Sequence, residues 1–365
     1  MTALGILLGA LALVAPSAPA PDTILLLVGD AGKPARSGEP VLQALSREAA
    51  REPSRTTVVF LGDNIYPRGL PAPDASSRAA AERRLTAQLD AVRTAGVRAV
   101  FLPGNHDWDA GGKDGWNAVL RQAEFVRKRG PAGVDYLPPG GCPGPEVRDL
   151  GQRVRLVVLD TQWFLHGFDK PRDPDSPCLA DSDAEVEAAL GRALADAGGR
   201  EVIVAAHHPL VSGGPHGGHF SIRQHVFPLT DWKRWLWLPL PGIGSIYPAA
   251  RRSGVSPQDL PSEENRRMHG LLLEALKERP PLVWAAGHEH SLQVITTRIP
   301  RFVLVSGAGI YGHTTPVKAV EGSHYAADEA GFMRLVFPSD GAPRLTVLQV
   351  DQQGIAVEHF SMELK

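Results

Sequence analysis

The sequence predicts an α/β fold in which two packed β-sheets carry helices on their outer faces. Three observations point there. Short apolar, β-branched runs such as Ile24 to Val28, Thr57 to Leu61 and Val97 to Leu102 read as strands buried on both faces. Helical patterns alternate with strands in the first two thirds of the chain, whereas strands cluster near its end. Five of the strands end in Gly followed by Asp, Asn or His, or in His alone, and random placement would not repeat that arrangement.

In chain order, Ile24 to Val28 runs into Gly29-Asp30-Ala31-Gly32, and Val41 to Arg51 reads as a helix. Thr57 to Leu61 ends at Gly62-Asp63-Asn64-Ile65-Tyr66, and Ala75 to Ala95 has amphipathic helical spacing. Val97 to Leu102 ends at Pro103-Gly104-Asn105-His106-Asp107, followed by a helix from about Trp116 to Arg129. The Gly/Pro-rich stretch from Gly130 to Gly151 reads as loop. Val154 to Leu159 is a strand, and Asp181 is placed to cap a helix reaching about Ala197. Glu201 to Ala205 ends at Ala206-His207-His208-Pro209, and glycines and histidines dominate from Ser212 to His225. Ser262 to Glu278 is helical, and Leu282 to Ala286 ends at Gly287-His288-Glu289-His290. Gln293 to Thr297, Phe302 to Val305, Phe332 to Phe337, Arg344 to Val350 and Ile355 to Met362 complete the set as strands.

The 365 residues are 43% hydrophobic and 21% charged, ordinary for a globular chain of one large domain or two small ones. With 38 basic and 40 acidic side chains there is no basic excess, so no nucleic-acid-binding surface is expected. Residues 1–20 look like an export signal: Gly5 to Val14 is a short apolar core and Ala18-Pro19-Ala20 a small-residue cleavage site, although no Lys or Arg precedes the core. This implies a secreted or periplasmic protein whose mature part is a single catalytic domain over 21–365. Cys142 and Cys178 both lie in Pro/Gly-rich loops, and in an exported chain that pattern favours one disulfide over two free thiols.

The polar residues at the strand ends are Asp30, Asp63, Tyr66, Asn105, His207, His288 and His290. Taken singly, Asp63 reads equally well as a helix cap and His207 as a satisfied core histidine. Together, two carboxylates, a phenol, an amide oxygen and three imidazoles suit a pair of first-row transition metals. One carboxylate can bridge two ions, the arrangement of two-metal hydrolysis. A phenolate is a hard anionic ligand and favours a highly charged ion such as Fe³⁺.

The five motifs, Gly29-Asp30-Ala31-Gly32, Gly62-Asp63-Asn64-Ile65-Tyr66, Gly104-Asn105-His106-Asp107, Val204-Ala205-Ala206-His207 and Gly287-His288-Glu289-His290, occur in an order that resembles the purple acid phosphatases, a branch of the calcineurin-like metallophosphoesterases. The resemblance runs from about residue 24 to 310. Ordinary metallophosphoesterases carry Asp-x-His at the first motif; here Gly32 stands at the third position, and Tyr66 replaces the lost imidazole. Ser291-Leu292-Gln293 and Ser306-Gly307-Ala308-Gly309 are similar to the small, single-domain branch typified by tartrate-resistant acid phosphatase, and the short segment before the first motif leaves no room for the extra β domain of the large plant enzymes.

The resemblance implies a four-layer αββα sandwich of two mixed β-sheets flanked by helices. It also implies that Asp30, Tyr66 and His290 hold Fe³⁺, that Asn105, His207 and His288 hold a divalent Fe²⁺, Zn²⁺ or Mn²⁺, and that Asp63 bridges. The implied reaction is hydrolysis of phosphate monoesters at acid pH by a metal-bound hydroxide. His106 and His216 match the family's substrate-side histidines and are the expected phosphate contacts or proton donors. His208 is a further candidate, with orientation by Pro209 as the plainer reading; His219 stands similarly. Asp107 reads as an orienting neighbour, and His313 is read as having no direct role, although its place after the Gly-rich turn at Gly309 sets it apart from the remaining histidines.

An aromatic-rich insertion over about 221–260 departs from the small branch. It contains Trp232-Lys233-Arg234-Trp235-Leu236-Trp237, and the stretch Trp232 to Tyr247 reads either as a peripheral membrane contact or as aromatics packed on the protein's own core. The expected partner is a small-molecule phosphate ester. Two alternatives stay open: a phosphodiesterase or pyrophosphatase acting on a lipid-like or cell-envelope phosphate ester, and a catalytically weak protein that binds phosphorylated ligands.

Overall fold

A computed structural model describes residues 21–172, 174, 176–230 and 235–365. The expected export signal and Trp232-Lys233-Arg234 lie outside the described residues.

Among the described residues, fourteen strands form two sheets. The first contains β1 (Pro21–Val28), β2 (Thr56–Phe60), β3 (Arg98–Phe101), β4 (Val134–Tyr136), β12 (Gly331–Pro338), β13 (Arg344–Val350) and β14 (Ala356–Glu363), ordered β14-β13-β12-β1-β2-β3-β4. The second contains β5 (Glu146–Leu150), β6 (Val154–Val158), β7 (Glu201–Ala205), β8 (Val283–Ala286), β9 (Leu292–Thr296), β10 (Phe302–Ser306) and β11 (Ser323–Ala327), ordered β11-β9-β10-β8-β7-β6-β5. Both are mixed. The β1-β2-β3-β4 set and the β6-β7-β8-β10 set are parallel, and antiparallel strands complete the edges. The helices are α1 (Pro40–Ala49), α2 (Arg78–Ala95), α3 (Gly115–Arg129), α4 (Thr161–Leu165), α5 (Asp183–Ala195), α6 (Ile222–Val226), α7 (Ile246–Arg252) and α8 (Glu263–Leu276).

The period-2 alternation of side chains explains the continuous apolar strands. Leu25 and Leu27 of β1, with Val59 and Val100, face the other sheet and meet Leu156, Ile203, Ala205, Val283 and Leu304 in one buried layer. Their neighbours Leu26, Val28, Val58 and Phe60 face outward against Leu45 of α1, Leu85 and Leu89 of α2 and Val119 of α3. In the second sheet Val157, Val204, Trp284 and Val305 face Leu190 and Leu194 of α5 and Met268 and Leu272 of α8. The order is helix, sheet, sheet, helix: the four-layer αββα sandwich.

Several local expectations are corrected. The stretch 130–151 is not all loop: it carries β4 and β5, whose Val-Asp-Tyr and Glu-Val-Arg-Asp-Leu sequences lack an apolar run. β11 and the five-residue α4 also lacked a periodic signal. The cap of α5 is Ser182, not Asp181; its hydroxyl accepts from the Glu185 amide and Glu185 reaches back, a reciprocal capping box. Cys142 and Cys178 form a disulfide. Among the described residues, no helix is long and apolar enough to cross a membrane.

Candidate metal centre

Parallel strands deliver their carboxyl ends to one rim, where ligands of open α/β sheets gather. Asp30 follows β1, Asp63 follows β2, Asn105 follows β3, His207 follows β7 and His288 follows β8. The two sheets are tied together there: the Gly29 amide donates to Ser306 O (2.7 Å) and His288 N to Asp30 Oδ2 (2.8 Å), while within the second sheet Gly287 N donates to His207 O (3.0 Å).

Close approach of the loops depends on glycine. A Cβ on Gly104 would lie 2.3 Å from Asp63 Oδ1, and one on Gly62, whose φ is +87°, would lie 2.6 Å from His207 Nδ1. Gly32 is equally constrained, since its Cβ would meet Asp63 O at 2.4 Å and Ile65 N at 2.5 Å. The loop has closed over the place where a side chain at 32 would begin, while Tyr66 N donates to Gly32 O (3.0 Å) and turns its ring inward. Asp30, Asp63 and His288 themselves hold left-handed backbone at φ 59°, 55° and 68°, strained conformations of a kind that concentrates at functional sites.

The seven side chains predicted from sequence converge, and their donor atoms form two triangles. Tyr66 Oη lies 2.9 Å from Asp30 Oδ1 and 2.9 Å from His290 Nε2, with 3.3 Å between the latter two. Asn105 Oδ1 lies 3.0 Å from both His207 Nε2 and His288 Nδ1, which are 3.1 Å apart. Two ligands at ~2.1 Å from an ion and at right angles to one another are about 3.0 Å apart, so both triangles have the edge lengths of one octahedral face. Asp63 lies beside them: Oδ1 is 3.5 Å from His207 Nε2, and one donor atom each from Asp30, Asp63 and His207 falls within 4.8 Å of the others.

The electrostatics of this set fit cations. Asp30 and Asp63 are both buried, and among the described residues their ion pairs are with histidines. Burial, reinforced by Asp63, pushes Asp30 up to about 7. Burial and the two carboxylates drive the Tyr66 phenol well above its usual value, and burial pulls His290 down to about 4 and His288 well below the ordinary range. Acids pushed toward neutrality and imidazoles held deprotonated are a donor set that bound cations would stabilise in its ionised, ligating form.

Neighbouring groups fix these donors. Asp107 is buried and accepts from the amides of Gly104, Asn64 and Ile65 and from Asn64 Nδ2, at 2.9–3.1 Å, pinning the second motif to the third. His207 Nδ1–H donates to Leu61 O (2.8 Å), leaving Nε2 to the centre. His106 Nδ1 similarly bonds Pro67 O (2.6 Å), its ring packs 4.5 Å from Tyr66, and its Nε2 lies 3.9 Å from Asp63 Oδ2.

His216 packs on His288, with ring centroids 3.9 Å apart and planes tilted by 42°. Its Nδ1 lies 2.9 Å from Asp259 Oδ1, and Arg251 binds both Asp259 oxygens while its Nη2 sits 3.0 Å from the same nitrogen. The charge-assisted bond to Asp259 is the stronger, which assigns the Nδ1 proton to it and leaves Nε2 for chemistry. Burial raises the Asp259 carboxyl, but the His216 and Arg251 hydrogen bonds outweigh it and hold the group below its ordinary value. Glu289, buried between the two histidines of its motif, accepts the His216 and Gly217 amides at 2.6 and 3.3 Å.

His208 is engaged at both ring nitrogens, 2.8 Å from Thr161 Oγ1 and 2.8 Å from Gln258 Oε1, and burial holds it well below its usual value. Although it lies beside His207 and His288, its bonds make it a prop for Gln258, whose backbone oxygen bonds His288 Nε2 (3.0 Å). His219 does not line the adjoining cavity. His313, read as inactive from sequence, does line it, 4.6 Å from the His290 ring. Sequence reasoning also passed over Asp259, Arg251 and Gln258, because they lie in the insertion, outside any motif.

A cavity of about 590 Å³ opens onto His288 and His290 and is bordered by Lys33 and, from the insertion, Arg223, Trp237 and Tyr247. A model of the calcineurin-like phosphoesterase family matches residues 24–292, most of the chain and every one of the seven donors. The chain belongs to the calcineurin-like phosphoesterase family. A search of curated protein sequences gave no significant match. Two solved structures are similar in fold, at 14% identity each. One is GAP50, the anchor in the inner membrane complex of Plasmodium, with a TM-score of 0.57 over 94% of this chain and 88% of that one. The other is purple acid phosphatase PPD1 from yellow lupin (Lupinus luteus) seeds, with a TM-score of 0.55 over 93% of this chain and 53% of that one. The phosphoesterase chain described here thus spans about half the length of the lupin enzyme.

Proposed function

We propose that this phosphoesterase is a dinuclear-metal acid phosphatase of the purple type that hydrolyses phosphate monoesters. The observation that carries the reading is the pair of donor triangles, each with edges near 3 Å, with Asp63 beside them and a cavity opening onto them. Asp30, Tyr66 and His290 would hold Fe³⁺, for which the phenol is the discriminating ligand, and Asn105, His207 and His288 a divalent ion. Bound there, the two ions would supply Lewis-acid charge to phosphate oxygens and lower the pKa of water.

The chain's own residues supply the rest. Asp63 keeps the two triangles in register, and its bond from the His106 amide (2.8 Å) fixes the loop that carries His106. His106 and His216 flank the centre, each anchored through Nδ1 with Nε2 turned inward, so each can bind a phosphate oxygen or hand a proton to the departing alcohol. The Arg251–Asp259 pair fixes the ring orientation and tautomer of His216. The disulfide and the apolar N-terminal segment support action outside the cytoplasm.

A phosphodiesterase is the second reading, favoured by the cavity beyond His290, where Lys33, Arg223 and Trp237 could receive a second ester group. Rates on an aryl phosphate and a bis-aryl phosphate separate the two. The proposal requires the monoester to be faster and Asp63→Ala to abolish turnover. A faster diester would move the assignment to the second reading, and no turnover at full metal occupancy would leave a phosphate-ligand-binding protein.

A further inference from the structure

The insertion is the most apolar exposed part of the described chain. Of fourteen exposed large hydrophobic side chains, eight fall within residues 222–255. Ile222 is 84% exposed, Ile243 67%, Ile246 66%, and Trp237, Leu238 and Tyr247 between 43% and 56%. The aromatics expected either to face out or to pack on the core therefore face out in large part. Scattered single exposures are ordinary, whereas a cluster of this kind marks a binding surface.

The cluster is one body. Leu240 N donates to Val226 O (2.7 Å), His225 Nδ1 bonds Ser245 Oγ (3.0 Å) and Phe227 packs on Trp237 (5.3 Å), so the two arms on either side of residues 231–234 lie side by side. Its root is fixed to the metal centre by Asp259 on His216, by Gln258 O on His288 and by Leu260 N donating to His216 O (2.9 Å). Its charge is opposite in sign to that of the whole: in a chain of net charge −2, the described part of residues 221–260 carries Arg223, Arg251 and Arg252 against Asp259, and because Arg251 is paired with the buried Asp259, the exposed Arg223 and Arg252 set its charge.

We infer that this insertion docks the protein on an anionic lipid surface, with Ile222, Ile243 and Ile246 entering the interfacial layer, Trp237 and Tyr247 at headgroup depth, and Arg223 and Arg252 facing lipid phosphates. Basic charge beside exposed aliphatic and aromatic side chains matches such a surface, whereas a neutral apolar partner would leave the charges unpaired. Because Trp237 and Tyr247 also border the cavity, docking would present the metal centre to phosphate esters held in the membrane.

Vesicle flotation tests this without relying on catalysis. The full chain and its Ile243→Ser/Ile246→Ser double variant are compared on pure phosphatidylcholine and on vesicles containing about 30% phosphatidylglycerol. Neither isoleucine borders the cavity, and the near-ultraviolet circular dichroism of the variant checks its fold. Binding is expected on the anionic vesicles only, at least about tenfold weaker for the double variant, and weakened again as salt rises from about 0.05 to about 0.5 M. Absence of binding, or equal binding by both proteins, overturns the inference. So does a wild-type dimer that the double variant turns into a monomer, since the surface would then be occupied by a second copy.

Discussion

Asp259→Asn is the most informative single change around the proposed proton donor. Asp259 is buried, its Oδ1 lies 2.9 Å from His216 Nδ1, and Arg251 holds both its oxygens. The carboxylate supports a protonated imidazole, whereas the Arg251 guanidinium, 3.0 Å from the same nitrogen, opposes it. With the amide in place of the carboxylate, Arg251 becomes the dominant neighbour and can donate to Nδ1, leaving His216 a poor acid in the wrong tautomer. A hydrogen bond to a charged group contributes about 2 kcal/mol, so kcat for an alkyl phosphate should fall about thirtyfold. A nitrophenyl phosphate has a leaving group that departs without a proton, and its kcat should fall no more than about threefold. The assay is the ratio of the two losses, measured on protein shown to retain its metals. Equal losses on both substrates would refute the argument, because His216 would then be binding phosphate or serving the fold rather than protonating the alcohol.

Two further substitutions probe the frame. Gly104→Ala places a Cβ 2.3 Å from Asp63 Oδ1 and 2.7 Å from His207 Cε1, so it should displace a proposed bridging ligand and lower activity by roughly a hundredfold or more with metal loss read by mass spectrometry; full metal content would contradict this. His166 is buried on Trp108, neither ring nitrogen has a hydrogen-bond partner among the described residues, and burial pulls it down to about 4. The unfolded chain, with an ordinary value of 6.5, takes the proton first, so stability should fall as pH drops from about 6.5 to about 4 and level off below. His166→Phe should flatten that slope in thermal melts followed across this range; an unchanged slope would assign the acid sensitivity elsewhere.

What could be read from the sequence follows from how each feature is encoded. The two-sheet core was legible because strands buried on both faces are continuous apolar runs, as in Leu25-Leu26-Leu27-Val28. The convergence of the seven candidate ligands was legible because each sits within a few residues of a strand end, and Gly32, Gly62 and Gly104 mark where loops must close on one another. β4 and β5 were missed because they are short, polar strands specified by their neighbours rather than by their own pattern. Arg251, Gln258 and Asp259 were missed for a different reason. Their meaning lies in contacts with His216 and His288, 30–43 residues away in the chain, and nothing local in the insertion announces them. His208 shows the converse. Adjacent to His207, it looked like a catalytic candidate, and only the bonds to Thr161 and Gln258 reveal where its two nitrogens are committed.

The central claim is that two ions sit in the two triangles and that Tyr66 binds one of them. Metal content and the visible spectrum, recorded together on the purified protein and on Tyr66→Phe, test it most directly. The account predicts about two ions per chain, one of them iron, and a phenolate-to-Fe³⁺ charge-transfer band that disappears in Tyr66→Phe. A colour that survives the substitution would contradict the role of Tyr66, and an active enzyme with no bound metal would contradict the centre itself.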